Sequence, residues 1–280
     1  TQVGIVFLFA AQAVYLGVKC VEPLFCDPTG NFGHTPEPIP ENLTAISDFM
    51  RSGKADVGFV VDPDVDRLAI VMENGEFFVE EYTLVSVADY LCEIAEKEGK
   101  PIATVSNLSS TRALRDVTEA HGGKYYASAV GEVNVTTLMH QVGALIGGEG
   151  NGGVIYPAIH AGRDAMVGVA LFLSNLAHKK LTVSALKKTY PQYSIAKNKI
   201  QLSDPALIDS ILSALKKIYA DERINDIDGV KIDFEARKQW VHLRKSNTEP
   251  IIRIYAEAAT MPEAEALASE VIAVANNIIG

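Results

Sequence analysis

The sequence predicts an α/β protein: two layered α/β domains on mixed sheets, followed by a smaller α+β domain at the C-terminal end. Three observations carry this. Its 280 residues exceed one ordinary domain and suit two or three. Short apolar runs alternate with segments of helical period along most of the chain. After Pro191 the pattern changes, and alternating strand-like runs lie between two amphipathic helices. Boundaries near Gly75 and Ala196 give expected domains over residues 1–75, 76–195 and 196–280.

In order, residues 3–18 contain Gln12 as their one strongly polar side chain. A membrane span needs about 20 apolar residues, and this run is shorter. A signal peptide would open with basic residues, yet the first charge is Lys19, after the run. A buried strand or helix is expected, with no membrane partner. Residues 28–40, rich in Pro and Gly, read as an irregular loop. Leu43, Ile46, Phe49 and Met50 predict a helix over 41–53, and apolar runs at 57–61 and 68–72 predict strands. Leu84, Val87, Ala88, Leu91 and Ile94 face one side of a helix over 82–98, ended by Gly99 and Pro101. A strand over 102–105 and a helix over 112–121 follow, the latter closed by Gly122 and Gly123. Residues 133–141 read as helix, 144–146 as strand, 147–153 as a glycine-rich loop, and 164–177 and 183–190 as helices. The last domain carries a helix over 204–220, strands over 230–235, 240–243 and 251–256, and a final helix over 263–279.

Formal charge is −10, which argues against nucleic acid as a partner, since phosphates need a basic face. An anionic ligand must then be met by a few placed arginines. Cys20, Cys26 and Cys92 form no CxxC pair, and their odd number suits a reducing, cytoplasmic setting.

Three loops carry chemistry. In the first, Asp62, Asp64 and Asp66 alternate between two apolar runs and are followed by Arg67. Alternate side chains share a face in extended chain, and carboxylates without His or Cys suit a hard cation such as Mg²⁺. As an EF-hand, Asp62, Asp64, Asp66 and Glu73 would fall at ligating positions, but Arg67 stands where that loop needs Gly. The strand-like flanks oppose it too. Val60-Val61-Asp62-Pro63-Asp64-Val65 partly resembles haloacid-dehalogenase phosphatases, with Asp62 as nucleophile and Asp64 as acid/base; no convincing downstream acidic pair completes it. The second loop, Gly147-Gly148-Glu149-Gly150-Asn151-Gly152-Gly153, offers close backbone approach and two side chains suited to sugar hydroxyls, or is simply a flexible turn. The third, Arg244-Lys245-Ser246-Asn247-Thr248-Glu249-Pro250 with Arg253 beyond, suits a phosphate cradle or a polar hairpin turn.

In this order the three loops resemble the α-D-phosphohexomutase superfamily of phosphomannomutases, phosphoglucomutases and phosphoglucosamine mutases. That family's DGDGDR, GE-x-S/N-G and R-x-S-N/G-T-E-P-x-x-R motifs stand here as DPDVDR, GEGNG and RKSNTEPIIR. PTGNFGHTPEPIPENL, SAVGEVNV and the Gly162-Arg163-Asp164 turn add support, and the resemblance runs from about Gly17 to the end.

The resemblance implies Mg²⁺ on Asp62, Asp64 and Asp66, with Arg67 an electrostatic stabiliser beside the transferring phosphoryl group. It implies sugar hydroxyls on Glu149 and Asn151, and the non-reacting phosphate on Arg244, Ser246, Asn247, Thr248 and Arg253. The implied ligands are a hexose phosphate and a hexose 1,6-bisphosphate. The family's phosphoryl donor is a phosphoserine in a TASHNP-like loop, and no serine here precedes His-Asn-Pro. The expectation is therefore the C-terminal three domains of a mutase, inactive alone, with the donor domain a possible partner in trans. A sugar-phosphate-binding module without catalysis, or the phosphatase using Asp62, are the rival expectations.

Overall fold

The computed structural model describes residues 12–26, 33, 35–201, 207–246 and 251–279. The chain divides into two compact units, one of residues 1–106, 114–126 and 131–190, the other of 107–113, 127–130 and 191–280.

In the first unit a short 3₁₀ turn, Pro40–Asn42, leads into α1 (Thr44–Arg51). This helix lies on β1 (Val57–Val61), where a Cβ added to Gly58 would meet Ile46 and Met50 at 3.0 and 3.3 Å. Glycine there lets helix and strand touch. β1 pairs antiparallel with β2 (Leu68–Met72) from Val57↔Met72 to Val61↔Leu68, as the two apolar runs predict. β2 is buried at every position, which explains its lack of alternation. Next come α2 (Glu80–Lys97), β3 (Ala103–Asn107), α3 (Ala113–Ala120), β4 (Lys124–Ser128), α4 (Glu132–Val142), β5 (Ile146–Glu149), β6 (Gly153–Ile155), α5 (Ala165–Lys179) and α6 (Val183–Lys187). Four of these strands form a mixed sheet in the order β4-β3-β5-β6, with β3 and β5 parallel and β5 and β6 an antiparallel hairpin. Phe172 of α5 is fully buried and meets Phe78 and Phe59 edge to face, with ring centroids 5.1 and 6.0 Å apart. These rings fix α5 against the β1–β2 hairpin.

The second unit is a five-stranded antiparallel sheet in the order β7-β11-β10-β9-β8. Its strands are β7 (Ser194–Gln201), β8 (Arg223–Asn225), β9 (Val230–Phe234), β10 (Gln239–Lys245) and β11 (Ile251–Ala258). Helices α7 (Leu207–Ile218) and α8 (Met261–Ile279) cover it through a core that includes Ile208, Ile211, Ile232, Val241, Ile254 and Val271.

Several expectations change. The glycine-rich segment 147–153 is mostly strand: 147–149 end β5 and 153 begins β6, so the loop is a tight hairpin turn. β4, β6, β7 and β8 had no counterpart in the sequence pattern. β7 buries only Ala196 and Ile200, and its Lys197 and Lys199 suit the edge position that it holds. Residues 3–11 lie outside the description, and the stretch expected as buried continues through 12–15 as a helical turn with Val14 and Tyr15 59% and 91% exposed. Among the described residues no helix is long and apolar enough to cross a membrane.

The second unit buries charge-bearing side chains. His242 Nε2 lies 2.7 Å from the Asp228 carbonyl, which can only accept, so Nδ1 at 2.9 Å accepts from the Ser109 hydroxyl. Trp240 Nε1 and the Arg112 backbone N–H both donate to Glu257 Oε1, at 2.7 and 2.8 Å. The Lys231 ammonium donates to the Leu108 carbonyl and sits 4.0 Å over the Trp240 ring. Burial pushes His242 down to about 4 and Glu257 up to about 7.

Folded Glu257 keeps its proton where the unfolded chain has lost it, so its contribution to stability fades as pH rises from 4.5 through about 7. Folded His242 resists protonation, so its contribution fades as pH falls from 6.5 towards 4. Urea unfolding at stepped pH should show Glu257→Gln losing less stability than wild type on raising the pH over the first window; parallel curves would contradict the assignment. Separately, Val65 in the β1–β2 connection has φ +63°, a left-handed conformation costing a branched residue about 1–2 kcal/mol, where the DGDGDR form of the motif carries glycine. Val65→Gly should raise stability by up to about 1 kcal/mol after the added freedom of the unfolded chain. A loss of that size would mean that the side chain's packing outweighs its strain.

Candidate functional site

The β1–β2 connection is shaped by one carboxylate. Asp62 directly follows the hairpin's first strand and is 2% exposed. Its Oδ1 accepts the backbone N–H groups of Asp66 and Arg67, at 3.1 and 3.0 Å, and its Oδ2 takes the Arg67 guanidinium Nε at 2.6 Å. Burial alone would raise this carboxyl, but the Arg67 hydrogen bonds and charge hold it below the usual range. The loop therefore curls back on itself, and Asp62, Asp64 and Asp66 each offer an oxygen within 4.8 Å of the others. Asp66 is pushed up to about 6 by burial and by the Asp62 and Asp64 charges, with Arg163 opposing.

This donor set fits a hard divalent cation: oxygen ligands only, three negative charges, and a buried Asp66 Oδ1 that has no hydrogen-bond partner among the described residues and lies 3.8 Å from Arg67 Nε. An unpartnered buried carboxylate oxygen is costly unless something cationic completes it.

The hairpin turn between β5 and β6 is joined to this loop. Leu68 N–H donates to the Gly152 carbonyl at 3.1 Å, and a Cβ on Gly152, whose φ is +89°, would collide with the Leu68 backbone. A Cβ on Gly150 would likewise strike the Glu81 carboxylate. Close approach, not turn flexibility, is what these glycines supply. Glu149 is buried: its Oε1 accepts from Gly131 N–H and its Oε2 from Arg163 Nη1, both at 3.2 Å. Asn151 is exposed and turns its Oδ1 onto Gly153 N–H at 3.1 Å. The metal triad, Arg67, Glu149 and Asn151 thus all belong to the first unit.

Arg163 and Glu132 join them, and sequence reasoning gave them no role. Arg163 pairs with Asp66, lies 3.2 Å from Glu149 and 3.3 Å from Glu132, and donates its backbone N–H to Glu132 at 3.0 Å. Asp164 beside it caps α5 by accepting Val167 N–H at 3.0 Å. The Gly162-Arg163-Asp164 turn and the segment holding Glu132 were visible as sequence stretches. No spacing rule announces that residues 66, 132, 149 and 163 meet.

The phosphate-type loop belongs to the second unit. Arg244 on β10 is the cross-strand partner of Arg253 on β11, so two guanidinium side chains leave the same face side by side. Among the described residues Arg244 Nε is buried without a hydrogen-bond partner, a gap that an anion would fill. Ser246 is buried and donates its backbone N–H to the Ile251 carbonyl at 3.0 Å. Asn247 and Thr248 lie outside the described residues.

Comparison with known proteins gives the family. Three models of the phosphoglucomutase/phosphomannomutase family match: alpha/beta/alpha domain II over residues 10–75, alpha/beta/alpha domain III over 80–193, and the C-terminal domain over 199–274. A "Probable phosphoglucosamine mutase" of Methanopyrus kandleri is 30% identical over 269 residues, covering 94% of this chain and 58% of its own length. A "Phosphoglucomutase/phosphomannomutase" of Thermococcus kodakarensis is 33% identical, covering 89% and 53%. The chain thus spans a little over half the length of these relatives. Among solved structures, a phosphoglucomutase/phosphomannomutase family protein of Burkholderia thailandensis superposes with a TM-score of 0.81 at 24% identity, covering 96% of this chain and 57% of that one. An Aspergillus fumigatus N-acetylphosphoglucosamine mutase in complex with GlcNAc-6P and magnesium gives a TM-score of 0.60 at 17% identity, covering 81% and 56%. Such distant structural likeness speaks for the fold; together with the sequence matches across three domains, the chain belongs to the α-D-phosphohexomutase superfamily.

Proposed function

We propose that these residues form the metal-, sugar- and phosphate-recognising part of a Mg²⁺-dependent phosphohexomutase. The enzyme would interconvert a hexose or hexosamine 1-phosphate and 6-phosphate through a 1,6-bisphosphate. The observation that carries this is the curled Asp62-Asp64-Asp66 loop, whose carboxylate oxygens lie within 4.8 Å of one another and whose buried Asp66 Oδ1 has no hydrogen bond among the described residues, joined through Leu68 N–H to the turn that follows Glu149. Domains over 1–75, 76–195 and 196–280 are part of the same proposal, as is a cytoplasmic setting, which the free thiols of Cys20, Cys26 and Cys92 support.

Each group has a role that its chemistry allows. Asp62, Asp64 and Asp66 would hold Mg²⁺, which when bound neutralises developing phosphoryl charge. Arg67, anchored through Nε to Asp62, presents the rest of its guanidinium beside the triad as a fixed positive charge. Glu149 and Asn151 would accept and donate hydrogen bonds to sugar hydroxyls. Arg244 and Arg253, with Ser246, Asn247 and Thr248, would clamp the phosphate that is not reacting. The 280 residues contain no Ser-His-Asn-Pro sequence, so the phosphoryl donor in this reading comes from a segment outside them, in cis or in trans.

Mixing this chain with Mg²⁺, glucose 1,6-bisphosphate and glucosamine 6-phosphate, mannose 1-phosphate or glucose 1-phosphate should give no turnover in a coupled assay. Turnover of any of them would overturn the external-donor proposal. Calorimetric titration with glucose 1,6-bisphosphate should show binding that Arg244→Ala weakens about tenfold, the loss of one charge-assisted contact. Unchanged affinity would remove the clamp. Mn²⁺ binding followed by electron paramagnetic resonance should weaken at least about tenfold in Asp64→Asn; equal binding by wild type and variant would place the cation elsewhere.

A further inference from the structure

Arg163 is the guanidinium on which the two recognition loops of the first unit converge. It pairs with Asp66 of the metal triad, reaches Glu149 of the sugar loop through Nη1 at 3.2 Å, and lies 3.3 Å from Glu132 through Nε. Its side chain is 20% exposed, with Asp66 at 18% and Glu149 at 9%, so the pairs are sheltered from full solvent screening. Its path is built into the backbone. A Cβ on Gly153 would collide with the Arg163 Cδ, so glycine at the start of β6 leaves the channel through which the side chain runs. Ile155 of the same strand bridges to Arg163 itself, and Ala165 N–H donates to the Val65 carbonyl of the metal loop at 3.2 Å.

From this geometry, and resting on the metal and sugar roles proposed above, we infer that Arg163 is a positioning residue that couples cation binding at Asp66 to sugar binding at Glu149. A planar guanidinium with Nη2 on Asp66, Nη1 on Glu149 and Nε beside Glu132 fixes the directions from which these carboxylates approach it. With Asp66 Oδ2 on Arg163, its Oδ1 is left towards the triad. Glu149 is held between Gly131 N–H and Arg163. A cation that fixes Asp66 therefore fixes the fork, and the fork fixes Glu149; a sugar bound on Glu149 acts in reverse by the same amount. Lysine keeps the charge but not the fork, so it separates positioning from simple electrostatics.

The test is a pair of Mn²⁺ titrations by electron paramagnetic resonance, with and without saturating glucosamine 6-phosphate. They are run on wild type, Arg163→Lys, Arg163→Met and Gly153→Ala, with a thermal melt of each. Wild type should bind Mn²⁺ at least about fivefold more tightly with the sugar phosphate present. In all three variants that ratio should fall to within about twofold of unity, even where the affinity for Mn²⁺ alone is kept. Gly153→Ala leaves every charged group in place and collides with the Arg163 side chain, its Cβ otherwise meeting Asn151 Oδ1 at 3.1 Å. A wild-type ratio near unity, or the wild-type ratio retained in folded Arg163→Lys and Gly153→Ala, would overturn the inference. Absence of any Mn²⁺ binding in wild type that Asp64→Asn diminishes would instead overturn the metal site itself.

Discussion

The site depends first on the buried Asp62 carboxylate. Two backbone N–H groups and one guanidinium converge on it, and they bend a six-residue stretch into a loop that an extended β-hairpin would not form. Every later feature uses that bend. It brings Asp64 and Asp66 back to Asp62, sets Arg67 against the triad, and exposes the Val65 carbonyl to the N-terminus of α5. A deeply buried carboxylate is tolerable because each of its oxygens finds a donor. The concentration of negative charge that remains at Asp66 is met by Arg163 and, in the proposed function, would be shared with a divalent cation.

Around that loop the first unit is organised by close backbone contact. The turn after Glu149 approaches Leu68 and Glu81 closely enough that side chains at residues 150 and 152 are excluded. The phenylalanine cluster of Phe59, Phe78 and Phe172 holds the β1–β2 hairpin on α5, whose N-terminal cap, Asp164, adjoins Arg163. Packing, capping and the charged cluster are thus consecutive parts of one stretch of chain. In the second unit the logic is different. There a sheet core of branched aliphatics supports a pair of arginines on adjacent strands, and buried His242, Glu257 and Lys231 are each met by hydrogen bonds, with Trp240 serving both as donor and as the face beneath Lys231.

Most of the helices, and the strands with continuous apolar runs, were legible because burial writes itself into period: β1 and β2 have the bounds that their residues announce. β4 and β7 escaped because Lys-Tyr-Tyr-Ala-Ser and a lysine-punctuated edge strand bury few side chains, so their pairing is set by tertiary hydrogen bonds and not by their own pattern. The glycine-rich segment misled for a related reason. Consecutive glycines look like a turn, yet 147–149 are strand residues, and the missing side chain of Gly147 admits Met139 and the Val105 carbonyl. For the site, Asp62, Asp64, Asp66, Arg67 and Glu149 were recognisable from residue type and order. Arg163 was not, because its partners lie 97, 31 and 14 residues away in sequence and only the fold brings them together.

The central claim is that Asp62, Asp64 and Asp66 hold a catalytic divalent cation beside the Glu149 turn. The most direct test is a crystal structure of the chain grown with Mn²⁺ and glucose 1,6-bisphosphate, read by anomalous scattering. The account predicts one strong anomalous peak about 2.0–2.2 Å from an oxygen of each of the three aspartates, with the sugar lying against Glu149. Saturating Mn²⁺ with no peak in that loop, or a peak held by other residues, would contradict it.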